Sequence, residues 1–312
     1  MCVEIFFTGD MEMKQMVRFM AAVYVMLASA QLASADGSGQ WLTVEKGVLV
    51  RCSRDASGTV VIPDGVTRIG RRAFWGCSLA SVIIPDGVTR IQRDAFYECN
   101  LTNVTIPSSV KIIEWNAFIY CRGLKTVTYG GTLAQWCAMD SNNMNEYGKS
   151  ILLSDGMDMK KLTSLAIPDG VTRIGKGAFY KHDGLASVTI PDSVASIGSN
   201  AFFGCRNLAG ITVPGSVKSI GSSAFDGCIG LTNVIILNGV IRIGRSVFSS
   251  CSELTNVTIP KSVTSIGSDA FFGCILETVT YGGTQEQWEK IKGYVPDGMM
   301  ITGSDGTSWI ME

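Results

Sequence analysis

The chain has 312 residues, of which 46% are hydrophobic and 17% charged, with a formal net charge of -1. That length and apolar content supply a sizeable core and exclude a disordered chain. The near-neutral balance excludes a surface built to neutralise a phosphate backbone, so no nucleic-acid partner is expected.

At the start of the chain, Lys14 and Arg18 precede an apolar run from Phe19 to Ala30, and Ala33, Ser34 and Ala35 follow it. This is the three-part order of a secretory signal peptide. The run is shorter than the ~20 residues a membrane span needs. Residues 1–35 are therefore read as the signal, and Glu4, Asp10 and Glu12 upstream suggest a true start at Met11 or Met13. Cleavage after Ala35 leaves no stretch long and apolar enough to cross a bilayer, so a secreted or cell-surface location is expected. Residues 36–62, with "WLTVEKGVLVRCSRDASGTVVI" from Trp41, read as a hairpin-like N-terminal cap.

From Pro63 onward the chain repeats itself. Aligned on Pro63, Pro85, Pro107, Pro168, Pro191, Pro214, Leu237 and Pro260, adjacent copies lie 22 or 23 residues apart. A period in the twenties marks a leucine-rich repeat solenoid, with short parallel β-strands stacked at that period and joined by turns and short helical segments. "LTNVTIP", at Leu101–Pro107 and Leu254–Pro260, alternates apolar and small polar residues as a half-buried strand does, so Leu, Val and Ile face inward. Proline ends the strand because it has no N–H for the ladder, and Asp-Gly (64–65, 86–87, 169–170) turns the chain. "VTRIG" and "VTSIG" read as a second short extended piece with Val and Ile buried. Gly70, Gly175, Gly198, Gly221, Gly244 and Gly267 are expected to supply a backbone angle that other residues resist. The pairs Ala73–Phe74, Ala201–Phe202 and Ala270–Phe271 place one small and one large side chain in the core per turn. One turn cannot bury these faces, whereas a stack can. Eight turns at the ~4.8 Å spacing of paired strands give a rod of roughly 40 Å before caps.

Two segments interrupt the rhythm. In "YGGTLAQW" (Tyr129–Trp136) and "YGGTQEQW" (Tyr281–Trp288), Thr132 with Gln135 and Thr284 with Gln287 fit the Thr-x-x-Gln capping box. Each predicts a short helix carrying its Trp inward to cover an apolar end of the stack; the alternative is an aromatic platform for a ligand. The organisation expected is a first repeat block over 63–132, a helix and loop insertion over 133–160, a second block over 161–282 and a C-terminal cap over 283–312.

The phrases "LTNVTIPSSV" from Leu101, "LASVTIPDSVASIGSNAFFGC" from Leu185 and "LTNVTIPKSVTSIGSDAFFGC" from Leu254 resemble the BspA-like leucine-rich repeat family of surface proteins. The resemblance spans Gly47 to Trp288. It implies a secreted or surface-attached repeat protein, with adhesion to proteins or host matrix among the family's roles, and it implies no reaction.

Reactive residues are present, but their pattern points away from catalysis. Cys77, Cys99, Cys121, Cys205, Cys228, Cys251 and Cys274 share one repeat position, and His182 fills it in the remaining copy. In-register Cβ atoms ~4.8 Å apart sit farther than the ~3.5 to 4.5 Å a disulfide wants. A ladder also spreads ligands along an axis, where zinc needs four converging on one point, so no metal site or cofactor is expected. The cysteines read as buried small hydrophobes, with Cys52 and Cys137 outside the ladder. His182, the only histidine, has no nucleophile at motif spacing, and no catalytic residue is assigned. Asp64, Asp86, Asp169 and Asp192 in the turns, and Arg68, Arg90, Arg173 and Arg242 after them, suggest modest ion pairs within a copy.

The outward strand positions include Ala80 and Ser81. Those read as the binding face are Thr102, Asn103, Lys125, Thr126, Ser187, Thr189, Thr232, Asn233, Thr255, Asn256, Glu277 and Thr278. They are small and hydroxyl-rich, so binding there is expected to be weak per turn and multivalent. The function expected is non-catalytic protein–protein interaction or adhesion through this face, with a host matrix or surface protein as partner. The alternative is a carbohydrate-binding surface module in which Trp136, Trp288 and exposed Tyr of the cap helices hold a glycan.

Overall fold

A computed structural model describes residues 41–144, 149–291 and 300–310; the signal assignment on residues 1–35 lies outside the described residues. The architecture is a parallel-strand solenoid of about 11 turns with little helix. The count exceeds the eight copies of the repeat because the insertion and both ends add rungs of their own.

Each turn places two strands on two faces. The longer strand is the "L-x-x-V-x-I" phrase: Asn103–Ile106 pairs in parallel with Thr126–Tyr129, and Gly210–Val213, Asn233–Ile236, Asn256–Ile259 and Thr278–Tyr281 continue side by side. Their burial alternates as the sequence pattern requires, with Val104 and Ile106 buried and Asn103 and Thr105 exposed. The second strand is two residues of "VTRIG" or "VTSIG". Arg68–Ile69, Arg90–Ile91 and Ile112–Ile113 form one parallel ladder, and Arg173–Ile174 through Ser265–Ile266 form another. Antiparallel hairpins close both ends, Leu42–Glu45 on Val48–Cys52 and Met300–Thr302 on Ser308–Ile310.

The two ladders are joined through the segment read as a polar loop. The Ile113 N–H donates to Asp140 O at 2.7 Å, the Gly175 N–H to Cys137 O at 2.7 Å and the Ser141 N–H to Lys176 O at 3.0 Å. The Asp140 carboxylate also meets the Arg173 guanidinium at 2.6 Å. Residues 137–141 thus stand in for one rung, and the blocks on either side share a continuous stack.

The core is a set of side-chain columns. Phe74, Phe96 and Phe118 stack with centroids 4.7 and 4.8 Å apart. Phe179, Phe202, Phe225, Phe248 and Phe271 stack at 5.2 to 5.6 Å. Dispersion and apolar burial along these columns are the main stabilising terms, since no rung buries its face alone.

The repeat glycines have a different cause from the one expected. None of Gly70, Gly175, Gly198, Gly221, Gly244 and Gly267 has a positive φ. They are small because the previous rung passes against them: a Cβ on Gly221 would lie 2.5 Å from Ser199 N and 2.7 Å from Gly198 C. The left-handed angle sits two residues later, at Arg72, Asp94, Asn116, Asn200, Ser223, Ser246 and Asp269, and again just before the ladder cysteine, as at Gly76, Glu98 and Gly204. In the first block Gln92 and Glu114 occupy the glycine position, where their side chains accept the Arg71 and Arg93 N–H at 3.0 Å. Gly221→Ala is therefore expected to cost about 1–3 kcal/mol through overpacking against backbone that no rotamer change relieves. Gln92→Ala, losing one hydrogen bond, should cost about 1 kcal/mol. Denaturant midpoints of the two variants check this, and the reverse order would remove the close-approach explanation.

The ion pairs also differ from expectation. Arg90 and Arg173 meet acids of other rungs, Arg90–Glu114 at 3.3 Å and Arg173–Asp140 at 2.6 Å, instead of the turn aspartate of their own copy. The turn aspartate lies at the end of the longer strand, while the arginine has already moved onto the second face.

Candidate functional site

The strand face presents one short polar row per rung. Asn233, Asn256 and Thr278 are direct register partners, as are Asn103 and Thr126. Thr102, Asn103, Lys125, Ser187, Thr189, Thr232, Asn233, Asn256, Glu277 and Thr278 are exposed, while Thr126 and Thr255 are half-buried. The Thr102, Thr232 and Thr255 hydroxyls are already committed to the stack. Thr102 Oγ1 donates to Ala80 O at 3.2 Å, Thr232 Oγ1 to Ala209 O at 3.1 Å and Thr255 Oγ1 to Thr232 O at 3.4 Å. Asn256 Nδ2 donates to Thr255 Oγ1 at 2.8 Å. What this face offers is a regular, largely uncharged lattice with its polar groups held in fixed register.

The two cap helices, α1 (Leu133–Ala138) and α2 (Gln285–Ile291), do not join that surface. Both capping boxes form: the Thr132 N–H donates to Gln135 Oε1 at 2.9 Å and the Thr284 N–H to Gln287 Oε1 at 3.0 Å. Each box aims a Trp inward against the motif's Tyr, Trp136 on Tyr129 at 5.5 Å and Trp288 on Tyr281 at 5.2 Å. The second glycine of "YGG" is required because a Cβ on Gly131 or Gly283 would strike the Tyr ring at 2.5 and 2.6 Å. Trp136 and Trp288 are 1% and 0% exposed, and Tyr129 and Tyr281 are buried with them. The reading of these helices as a glycan platform is thereby corrected; their aromatics close the core. The outer face of each helix follows its place. Within the stack α1 carries buried Cys137, and Trp136 Nε1 donates to Ala178 O at 2.9 Å. At the end of the stack α2 turns Glu286, Glu289 and Lys290 to solvent, the polar exterior a terminal repeat needs.

The cysteine column is buried throughout. All nine described cysteines are unbridged and buried, Cys52 and Cys137 included. From Cys99 onward each ladder thiol donates to a Phe carbonyl of the preceding rung, Cys99 to Phe74 O at 2.7 Å, Cys228 to Phe202 O at 3.2 Å and Cys274 to Phe248 O at 3.1 Å. His182 does comparable work, its Nε2 meeting Met159 O inside the core. Its imidazole is a rung element of the same buried column.

Sequence reading missed an aromatic strip on the turn face, at the position following Phe in the Ala-Phe pair and its neighbours. Trp75, 40% exposed, lies under Arg54 at 4.8 Å and Arg72 at 5.4 Å. Tyr97 meets Tyr120 edge-on at 5.2 Å, Tyr180 stacks on Phe203 at 5.0 Å and Lys181 Nζ sits 5.3 Å from the Tyr180 ring. The signal was present in "AFW", "AFY" and "AFF", but that position varies too much between copies to stand out.

With this geometry in place, comparison with known proteins is direct. Residues 53–144 and 157–277 match the family described as BspA type leucine rich repeat region (6 copies), and the chain belongs to that family. A leucine rich cell surface protein from Faecalibacterium prausnitzii is 30% identical with a TM-score of 0.55, covering 77% of this chain; the chain spans 63% of that protein's solved length. A leucine-rich repeat protein from Eubacterium ventriosum shares the fold at 20% identity and a TM-score of 0.54, over 79% of this chain and 76% of that one. No curated protein sequence matches significantly. The molecule is a leucine-rich repeat scaffold.

Proposed function

We propose that this scaffold is a secreted or surface-displayed, non-catalytic interaction protein that adheres to a protein partner through its strand face. The observation that carries the reading is the register of that face: Asn233, Asn256 and Thr278 stand opposite one another and present one polar side chain per rung. A partner lying across several rungs meets many weak equivalent contacts whose effects multiply. The buried, linear arrangement of cysteines and His182 supports a structural role for those residues. The Faecalibacterium relative, a cell surface protein, supports display at a surface.

Asn233→Arg with Asn256→Arg places two like charges side by side on the face. The stability cost is expected to be about 1 kcal/mol or less, while binding of the mature chain to a panel of immobilised matrix proteins falls about tenfold or more, as bulk and charge displace the partner from the lattice. A panel in which nothing binds the native chain, or a variant that binds as well as the native chain, would argue against the strand face as the adhesive surface.

A further inference from the structure

The Phe carbonyls mark where the repeat is broken. In every regular rung this carbonyl accepts the next ladder thiol, as Phe74 O accepts Cys99 and Phe96 O accepts Cys121. At the junction no cysteine follows Cys121, and Phe118 O instead faces Lys149 Nζ at 3.4 Å. An ammonium thus occupies a thiol's place, and Lys149 is only 4% exposed.

Around it the chain opens a cavity of about 540 Å³ lined by Tyr120, Cys121, Arg122, Leu124, Lys125, Lys149 and Lys160. Among the described residues that line it, four are basic and none is acidic. The two carboxylates of the adjoining turn are held by their own turn: Asp155 Oδ1 accepts the Met157 N–H at 3.0 Å, Asp158 Oδ1 accepts from Ser150 Oγ at 2.5 Å and from the Lys160 N–H at 3.1 Å, and Asp158 Oδ2 faces Lys161 at 4.0 Å. In a chain of net charge -1, such a local excess of positive charge in a concave site is a feature of position, not of composition. Concave, low-dielectric walls strengthen the attraction for an anion.

The cavity also adjoins the strand face. Lys125 lines it and immediately precedes the strand Thr126–Tyr129. The strand face lacks large anchors, whereas Tyr and Arg are the side chains that anchor protein interfaces, and Tyr120 and Arg122 stand here. Arginine additionally grips a carboxylate through two parallel hydrogen bonds. We propose that this junction cavity is the charged anchor of the interaction surface, taking an acidic peptide segment of the protein partner, with Arg122, Lys125 and Lys160 holding its carboxylates and Tyr120 and Leu124 covering its side-chain stems. This rests on the strand-face reading above and gives the partner a chemistry.

The test is fluorescence anisotropy of the full mature chain with dye-labelled hexaglutamate, hexaserine and a heparin-derived hexasaccharide. The native chain is expected to bind hexaglutamate and ignore hexaserine. Arg122→Ser, Lys125→Ser and Lys160→Ser combined should weaken hexaglutamate about tenfold, equivalent to about 1.4 kcal/mol. Removing three exposed charges elsewhere, Arg68→Ser, Lys111→Ser and Arg242→Ser, should change it less than about twofold. If the pocket triple fails to fold by circular dichroism, Lys160→Glu alone carries the same comparison. No binding by the native chain, equal loss in both triples, or no loss in the pocket triple overturns the proposal. Pocket-dependent binding of the hexasaccharide without hexaglutamate also overturns it, in favour of an anionic glycan. The strand-face variant Asn233→Arg with Asn256→Arg should keep hexaglutamate affinity. Failure of the native chain to bind any matrix protein while it binds hexaglutamate would therefore sink the adhesive reading separately from the pocket.

Discussion

Raising the pH is expected to unfold this protein in one cooperative step before Cys137 and the ladder thiols of the second repeat block ionise in the native state. Burial pushes the Cys137, Cys205 and Cys274 thiols up to about 12 from an ordinary 9.0. It raises Cys228 and Cys251 as well, with neighbouring ladder thiols adding to the effect. In the unfolded chain the same groups ionise near ~8.5. Below that pH both states hold the proton and these groups contribute nothing to the pH dependence. Above it the unfolded chain binds fewer protons than the folded one, so stability falls by about 1.4 kcal/mol per pH unit for each thiol until the folded value is reached. Five thiols acting together can remove a typical stability of ~5–15 kcal/mol within about one to two pH units. The phenols of Tyr129 and Tyr281, raised by burial, act in the same direction. Far-UV circular dichroism and thiolate absorbance, followed together under reducing conditions, should change in the same transition. Hydrogen bonds from Cys52 and Cys99 lower the Cys77 and Cys121 thiols. Thiolates beyond those two appearing with an ordinary midpoint while the dichroism stays native would therefore show that the column is open to solvent, and the buried-ladder account would fail.

The same column shows what could be read from sequence and what could not. The period is legible because the same phrase recurs at a fixed step, and the inward Leu, Val and Ile and the capping boxes because each depends on spacing within one copy. The burial of Leu101, Val104 and Ile106 follows from alternation alone. Contacts between copies are not legible in this way. A glycine repeated at one position suggests an unusual φ, but Gly221 is selected by the distance to Ser199 in the preceding rung. The true left-handed positions mix Asp94, Asn116, Asn200 and Asp269, which favour that angle, with Arg72, Ser223 and Ser246, which do not, so no single letter marks them. Asp140 looked like loop because it carries no repeat letter, yet backbone pairing needs no particular side chain and the segment forms a rung. The junction cavity was hidden for the same reason. Lys149 and Lys160 lie 24 or more residues from Lys125 or Tyr120 in sequence and meet them only through the stack.

Phe225→Ala is expected to be the most damaging single truncation of the core, costing about 3–5 kcal/mol. Its ring is fully buried and stacked between Phe202 at 5.2 Å and Phe248 at 5.5 Å, tilted from them by 5° and 10°. Removing it leaves a cavity bounded by rings fixed to adjacent rungs, which cannot close in without breaking the strand register Asn233↔Asn256. Stability in a solenoid is a sum of rung and nearest-neighbour terms, so the loss falls on two interfaces at once. Thermal unfolding should shift downward and broaden, and amide exchange should accelerate most in the rungs at Ser196–Ile197, Ser219–Ile220 and Arg242–Ile243. Phe272, which is 55% exposed, supplies the comparison: Phe272→Ala should cost about 0.5 kcal/mol or less. If the two truncations proved equally costly, the phenylalanine column would not be the element that couples the rungs.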